Sequence, residues 1–135
     1  MSDDKNKSLS ATSPPSGDGG AVVLIKCPAT VANLVCGFDI LGMALQEPYD
    51  IMKLKLIDEP KVVIINNDNY NLPTEAEKNV AGVVLLEIIK HNNSSFGFEV
   101  EIEKRIKPGS GLGSSSASAA GAAVGANLLL NNKYS

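Results

Sequence analysis

The sequence has no tryptophan, three tyrosines, three phenylalanines, one histidine and two cysteines in 135 residues. So few aromatic rings leave few platforms for base stacking. The 12 Lys+Arg against 15 Asp+Glu give a formal net charge of -3, without an overall basic field. General nucleic-acid binding is disfavoured on both counts, and no nucleic-acid partner is expected. Two cysteines, Cys27 and Cys36, are too few for a disulfide framework, and their spacing fits neither a CxxC pair nor a zinc pattern. A reducing, cytoplasmic setting follows. Cys36 is read as a buried, inert thiol, and the single His91, near a helix end, as a solvated residue.

Long hydrophobic runs are also missing. Pro108 to Asn132 carries no charge over 25 residues and contains Gly121 and Gly125 in GxxxG spacing. Leu112 is nevertheless the one large apolar side chain between Gly109 and Ala123, so transfer of this stretch into hydrocarbon gains little and no membrane span is expected. Small residues at this density instead let a helix pack closely on a sheet or a ligand. The first twenty residues, MSDDKNKSLSATSPPSGDGG, are nearly devoid of large apolar side chains and read as a disordered tail, without the apolar stretch of a signal peptide. One globular domain, residues 21–135, is expected to follow.

From Ala21 the pattern becomes regular. AVVLIKC (Ala21 to Cys27) reads as a buried strand stopped by Pro28, and residues 28–48, with no sustained period, as a long connection. DIMKLKLI sets Met52, Leu54 and Leu56 against Lys53 and Lys55, a half-buried strand, with KVVIIN (Lys61 to Asn66) as its expected neighbour after a turn at 58–60. Thr74 and Glu77 form a capping-box signature for a helix to about Lys90, with Ala76, Val80, Val83, Val84 and Ile88 on its apolar face and Asn92 and Asn93 as terminators. FGFEVEIEKRI alternates Phe96, Phe98, Val100 and Ile102 against Glu99, Glu101 and Glu103 and is the clearest strand. A glycine-rich turn and a helix from Ser114 to Asn131 complete an α+β pattern: a mixed sheet with helices packed on one face.

The stretch KPGSGLGSSSASAAGAA carries the most chemistry. Gly109, Gly111 and Gly113 can take positive φ and let the backbone approach a ligand, while the following helix offers unpaired amides and the positive end of its dipole. This is a seat for an anion, most naturally a polyphosphate, and the hydroxyls of Ser114, Ser115 and Ser116 could cap the helix, touch phosphate or ligate hydrated magnesium. A plain glycine turn with a serine N-cap has the same sequence. A Walker A loop is excluded, because no lysine follows Gly113 until Lys133, and GSGLG is one residue short of a dinucleotide-binding GxGxxG. Lys104, Arg105 and Lys107 could raise the positive potential at the loop mouth, although charges on a solvated strand end account for at least two of them.

PGSGLGSSSASAAGAA resembles the second motif of the GHMP small-molecule kinases, in which a Pro-x-x-x-Gly-Leu-Gly-Ser-Ser run wraps the phosphates of ATP. CPATVANLVCGFDILGMAL, Cys27 to Leu45, is similar to the amino-terminal motif of the homoserine kinase branch, with Pro-Ala-Thr-x-Ala-Asn and Gly-Phe-Asp-x-Leu-Gly. Two motifs in the right order are far more specific than either alone. Cys36 departs from the usual residue before Gly-Phe-Asp.

The resemblance implies phosphorylation of the side-chain hydroxyl of L-homoserine by ATP, giving O-phospho-L-homoserine on the route to threonine. On it, Pro108, Gly109, Ser110, Gly111, Leu112, Gly113, Ser114, Ser115, Ser116, Ala117 and Ser118 enclose the triphosphate, and Ser115 helps hold Mg2+. Asp39 pairs with the substrate ammonium and Asn33 orients its hydroxyl. No catalytic base is assigned. Asn79 resembles a position near the nucleotide pocket. Members of the family carry a third glycine-rich motif and a carboxyl-terminal domain, so the resemblance implies a truncated amino-terminal ATP-binding domain that is inactive alone. A homodimer is left open, as are a different GHMP acceptor and a non-catalytic nucleotide-binding module.

Overall fold

The computed structural model describes residues 11–12, 20–34 and 40–134. Their strands are β1 (Ala11–Thr12), β2 (Val22–Ala32), β3 (Gly42–Ile57), β4 (Val62–Asn66) and β5 (Gly97–Glu103). The helices are α1 (Val80–Asn92) and α2 (Ser114–Leu129). The sheet order is β1-β2-β3-β5-β4, antiparallel except for the parallel β4–β5 pair, which α1 connects as a crossover. Among the described residues no helix is long and apolar enough to cross a membrane.

Period two decides what the sheet buries. Ile25, Cys27, Met52, Leu54, Phe98, Val100 and Ile102 face the helices and are buried, while Lys53 and Lys55 lie on the opposite face. There they stand directly across from Glu101 and Glu99, at 3.0 and 2.7 Å. α2 lies close over β2 and β3 because it presents glycine to them. A Cβ on Gly121 would collide with Cys27 Sγ, and one on Gly125 would come to 2.8 Å from Leu54 Cδ1. The small-residue stripe therefore serves close packing on the sheet.

Four expectations change. Residues 28–48 are mostly the paired arms of a hairpin, because β2 runs on to Ala32 and β3 starts at Gly42. Ala32, Gly42, Met43 and Ala44 are exposed, so no alternation marked this ladder, and Pro28 is accommodated beside a register shift between Pro28 and Thr30. β4 is not the neighbour of β3: β5 lies between them, where its glutamates meet the β3 lysines.

The helix α1 starts later than the Thr74–Glu77 box suggests. Asn79 is the N-cap, with Oδ1 accepting from the amides of Ala81 and Gly82. Its buried face is Ala81, Gly82, Leu85 and Ile89, leaving Val80 and Val83 exposed, whereas Asn93 in the left-handed region ends it as expected. Finally, Ala11 and Thr12, within the stretch read as a tail, pair with Ile25 and Leu24. Apart from these two and Gly20, the first twenty residues lie outside the described set.

Candidate active site

The glycine turn follows β5 directly and opens onto α2. Gly109, Gly111 and Gly113 have φ of 76, 77 and 67°, the left-handed conformation that only glycine takes without strain. A side chain on Gly109 or Gly111 would meet nothing within 4 Å, so open space lies beside both. Gly113 differs, because a Cβ there would run into Thr30 Oγ1.

Gly113 is itself the N-cap of α2, and no side chain caps the helix. The serine N-cap is thereby replaced. Ser114 is the first helical residue, and its hydroxyl donates to Ile106 O at 3.3 Å. The first intrahelical bond runs from the Ala117 amide to Gly113 O, at 2.8 Å, so the amides of Ser114, Ser115 and Ser116 have no partner within the helix. No acidic residue stands in the first turn to neutralise the positive dipole end. Ser115 and Ser116 are exposed, while Ser114 and Ser118 are buried.

A cavity of about 180 Å³ adjoins this turn, lined by Asn79, Lys78, Lys104, Pro108, Ser115 and Ser118 among others. Its two lysines are each paired with a carboxylate, Lys78 with Glu75 and Lys104 with Asp50, so what the site offers an anion is the amides of the turn and the start of α2. A larger cavity of about 660 Å³ lies between α1 and α2, with Val83, Val84, Ile88 and Val124 in its walls, but it lacks the loop amides. The smaller cavity is therefore the candidate site. Asn79 lines it, and its side chain also serves the fold, with Nδ2 donating to Pro73 O at 2.8 Å.

The two sequence motifs meet in space. The Thr30 amide of the first donates to Leu112 O of the second at 3.0 Å, and Leu112 packs against the core between the exposed Gly111 and the half-buried Gly113. Asn33 lies three residues beyond Thr30, just past β2, with φ of 59°. Asp39 and Cys36 lie outside the described residues.

Sequence reading missed the polar core behind the turn. Lys104, read with Arg105 and Lys107 as part of a loop-mouth basic cluster, is buried; its ammonium binds Asp50 Oδ2 at 2.5 Å, Ser118 Oγ at 3.0 Å and Ser114 O at 3.1 Å. Arg105 is exposed and pairs with Glu103 at 2.8 Å. The alternation that buries Met52 and Leu54 also puts Asp50 inward, and that of Phe98, Val100 and Ile102 does the same for Lys104. Cys27 lies close by, and burial, reinforced by the Asp50 carboxylate and partly opposed by Lys104, pushes its thiol up to about 12.

Residues 78–135 match the family model described as GHMP kinases N terminal domain. Over that stretch, less than half of its length, the chain is similar to the amino-terminal domain of the GHMP kinases. It is also similar to homoserine kinases: it is 45% identical over 115 residues to the homoserine kinase of Methanococcus vannielii, a match covering 84% of this chain and 38% of that protein. The crystal structure of homoserine kinase from Cytophaga hutchinsonii superimposes with a TM-score of 0.78 at 40% identity, covering 84% of this chain and 37% of that one. A mevalonate kinase structure shares the fold, with a TM-score of 0.62 at 20% identity over 83% of this chain and 42% of that one. The chain thus spans little more than a third of the homoserine kinases it matches.

Proposed function

We propose that residues 21–135 are the ATP-binding amino-terminal domain of a kinase that transfers the γ-phosphoryl group of ATP to the side-chain hydroxyl of L-homoserine. The carrying observation is the glycine turn, whose left-handed Gly109 and Gly111 face open space at the uncapped start of a 16-residue helix. The similarity to homoserine kinases supports the acceptor.

In this reading the turn from Pro108 and the first turn of α2 up to Ser118 enclose the triphosphate with backbone amides, which act as fixed dipoles and need little reorganisation during transfer. Lys78, exposed beside Glu75, stands at the cavity wall, while the charge of Lys104 is taken up by Asp50. The donor set also fits Mg2+ in part. Ser115 presents an exposed hydroxyl oxygen, but the described residues contain no cluster of three acidic, His or Cys side chains, so Ser115 would complement phosphate and water oxygens. When bound, the ion would neutralise charge on the phosphates. Asn33 and Asp39 are assigned to the acceptor, Asn33 orienting the hydroxyl and Asp39 pairing with the ammonium. No general base is required of this segment, because phosphoryl transfer draws mostly on positioning and charge stabilisation.

The test is a chimera in which residues 22–134 replace the matching segment of the Methanococcus vannielii homoserine kinase, offered L-homoserine, L-serine, L-threonine and mevalonate with ATP and magnesium. Turnover restricted to L-homoserine is expected. Nucleotide binding with turnover of a different acceptor would keep the loop assignment and remove the substrate assignment.

A further inference from the structure

Asp50 and Lys104 are 1% and 2% exposed at their side chains and lie one step beyond the last β3–β5 pair, Ile51 with Glu103. All three ammonium protons of Lys104 and both carboxylate oxygens of Asp50 are engaged. Asp50 Oδ1 accepts the amides of Arg105 and Ile106, at 2.7 and 2.8 Å, and Oδ2 accepts Lys104 Nζ. The remaining Lys104 bonds go to Ser114 O and Ser118 Oγ, while Ser114 Oγ returns to Ile106 O. One carboxylate thus fixes the chain as it enters the glycine turn, at residues 105 and 106, and through Lys104 also fixes the chain as it leaves, at Ser114 and Ser118.

A buried ion pair is a poor source of net stability, since desolvation offsets most of the attraction and apolar replacements of similar volume are often neutral or better. This pair does what an apolar pair cannot: it bonds directionally to backbone on both sides of a segment whose glycines leave it conformationally free. We propose that Asp50 is a positioning residue for the glycine turn, holding its amides and those of the first turn of α2 in the arrangement that receives an anion. The proposal rests on the nucleotide reading only for the identity of that anion.

The test compares the parent chain with Asp50→Asn and with the double variant Asp50→Asn/Lys104→Met. The double variant removes both charges together, so it leaves no unpaired buried ammonium to unfold the domain. Three readouts are taken: the melting temperature, amide hydrogen exchange resolved by residue, and affinity for ATP and for adenosine.

The double variant is expected to melt within about 5 °C of the parent. Its amides at residues 105, 106 and 113–118 should exchange about tenfold faster or more, with those of Leu54 and Val100 unchanged. ATP affinity should fall about tenfold while adenosine affinity holds, because only the phosphates sense the turn. Exchange that is unchanged at the turn, or faster uniformly across the sheet, overturns the proposal. So does a loosened turn that binds ATP as well as the parent does. If the parent itself binds no ATP, the nucleotide reading falls, and the exchange pattern alone decides whether Asp50 orders the turn.

Discussion

Gly111 and Gly113 share one backbone conformation and differ in what surrounds them, so alanine at each should separate two costs. Both have left-handed φ, 77 and 67°, and forcing an L-residue to stay there costs about 1.5 kcal/mol. At Gly111 nothing else is added, since a Cβ meets open space. At Gly113 the Cβ runs into Thr30 Oγ1 and stands 3.3 Å from Thr30 Cβ, on the residue whose amide holds Leu112 O. Overpacking of this sort adds about 2 kcal/mol, for a total near 3.5 kcal/mol. With a urea slope of about 1.5 kcal/mol per molar, the midpoint should drop by about 1 M for Gly111→Ala and by more than about 2 M for Gly113→Ala. Equal shifts would refute the reasoning. Gly111→Val carries the functional half, because its side chain fills the space assigned to phosphate. ATP affinity should fall about tenfold or more in a protein that still folds, and unchanged affinity would remove the phosphate seat.

Asn79→Ala should cost about 1 to 2 kcal/mol in urea unfolding, since it removes the cap of α1 and leaves Pro73 O without its donor; a loss below about 0.3 kcal/mol would show the cap to be idle. Gly121→Ala should destabilise by about 2 kcal/mol despite alanine's better helix propensity, and adding Cys27→Ala should return part of that loss. Strict additivity of the two would place the collision elsewhere. Cys27 should resist iodoacetamide at pH 8 in the folded chain and react once unfolded, as mapped by mass spectrometry of its peptide. Because its folded value of about 12 exceeds the ordinary 9.0, the protonated thiol favours the native state, and that contribution is complete below pH 9. It should decline between pH 9 and 12 with a slope approaching about 1.4 kcal/mol per pH unit, and Cys27→Ala should flatten that decline.

What was legible in the sequence was whatever one strong local signal determined. Period two placed Met52, Leu54, Phe98, Val100 and Ile102 in the core, and three spaced glycines gave the left-handed turn before α2. The helix start at Asn79 was misread because a capping box upstream competed with a single buried asparagine that also bonds Pro73 O. The hairpin at 30–32 and 42–44 was invisible because exposed residues on both arms leave no pattern to read. Strand order failed for a different reason. Sequence proximity favoured β4 beside β3, and only the opposed charges of Lys53, Lys55, Glu99 and Glu101 pointed to β5. Asp50 and Lys104 went unrecognised with it, since their meeting depends on that pairing.

The position of β5 has a bearing on how the domain comes together. It is the last of the described strands, yet it sits inside the sheet between β3 and β4. A chain growing from its amino terminus has the β2–β3 hairpin early, but β4 then has no ladder partner among the described strands until residues 97–103 appear. Phe98, Val100 and Ile102 arrive at the same moment, and Lys104 reaches Asp50 directly after them. Assembly is therefore gated by one late segment. β5 completes the sheet, α2 then adds the second helix and the Ser114 and Ser118 partners of Lys104, and shorter nascent chains have only separate pieces of a core.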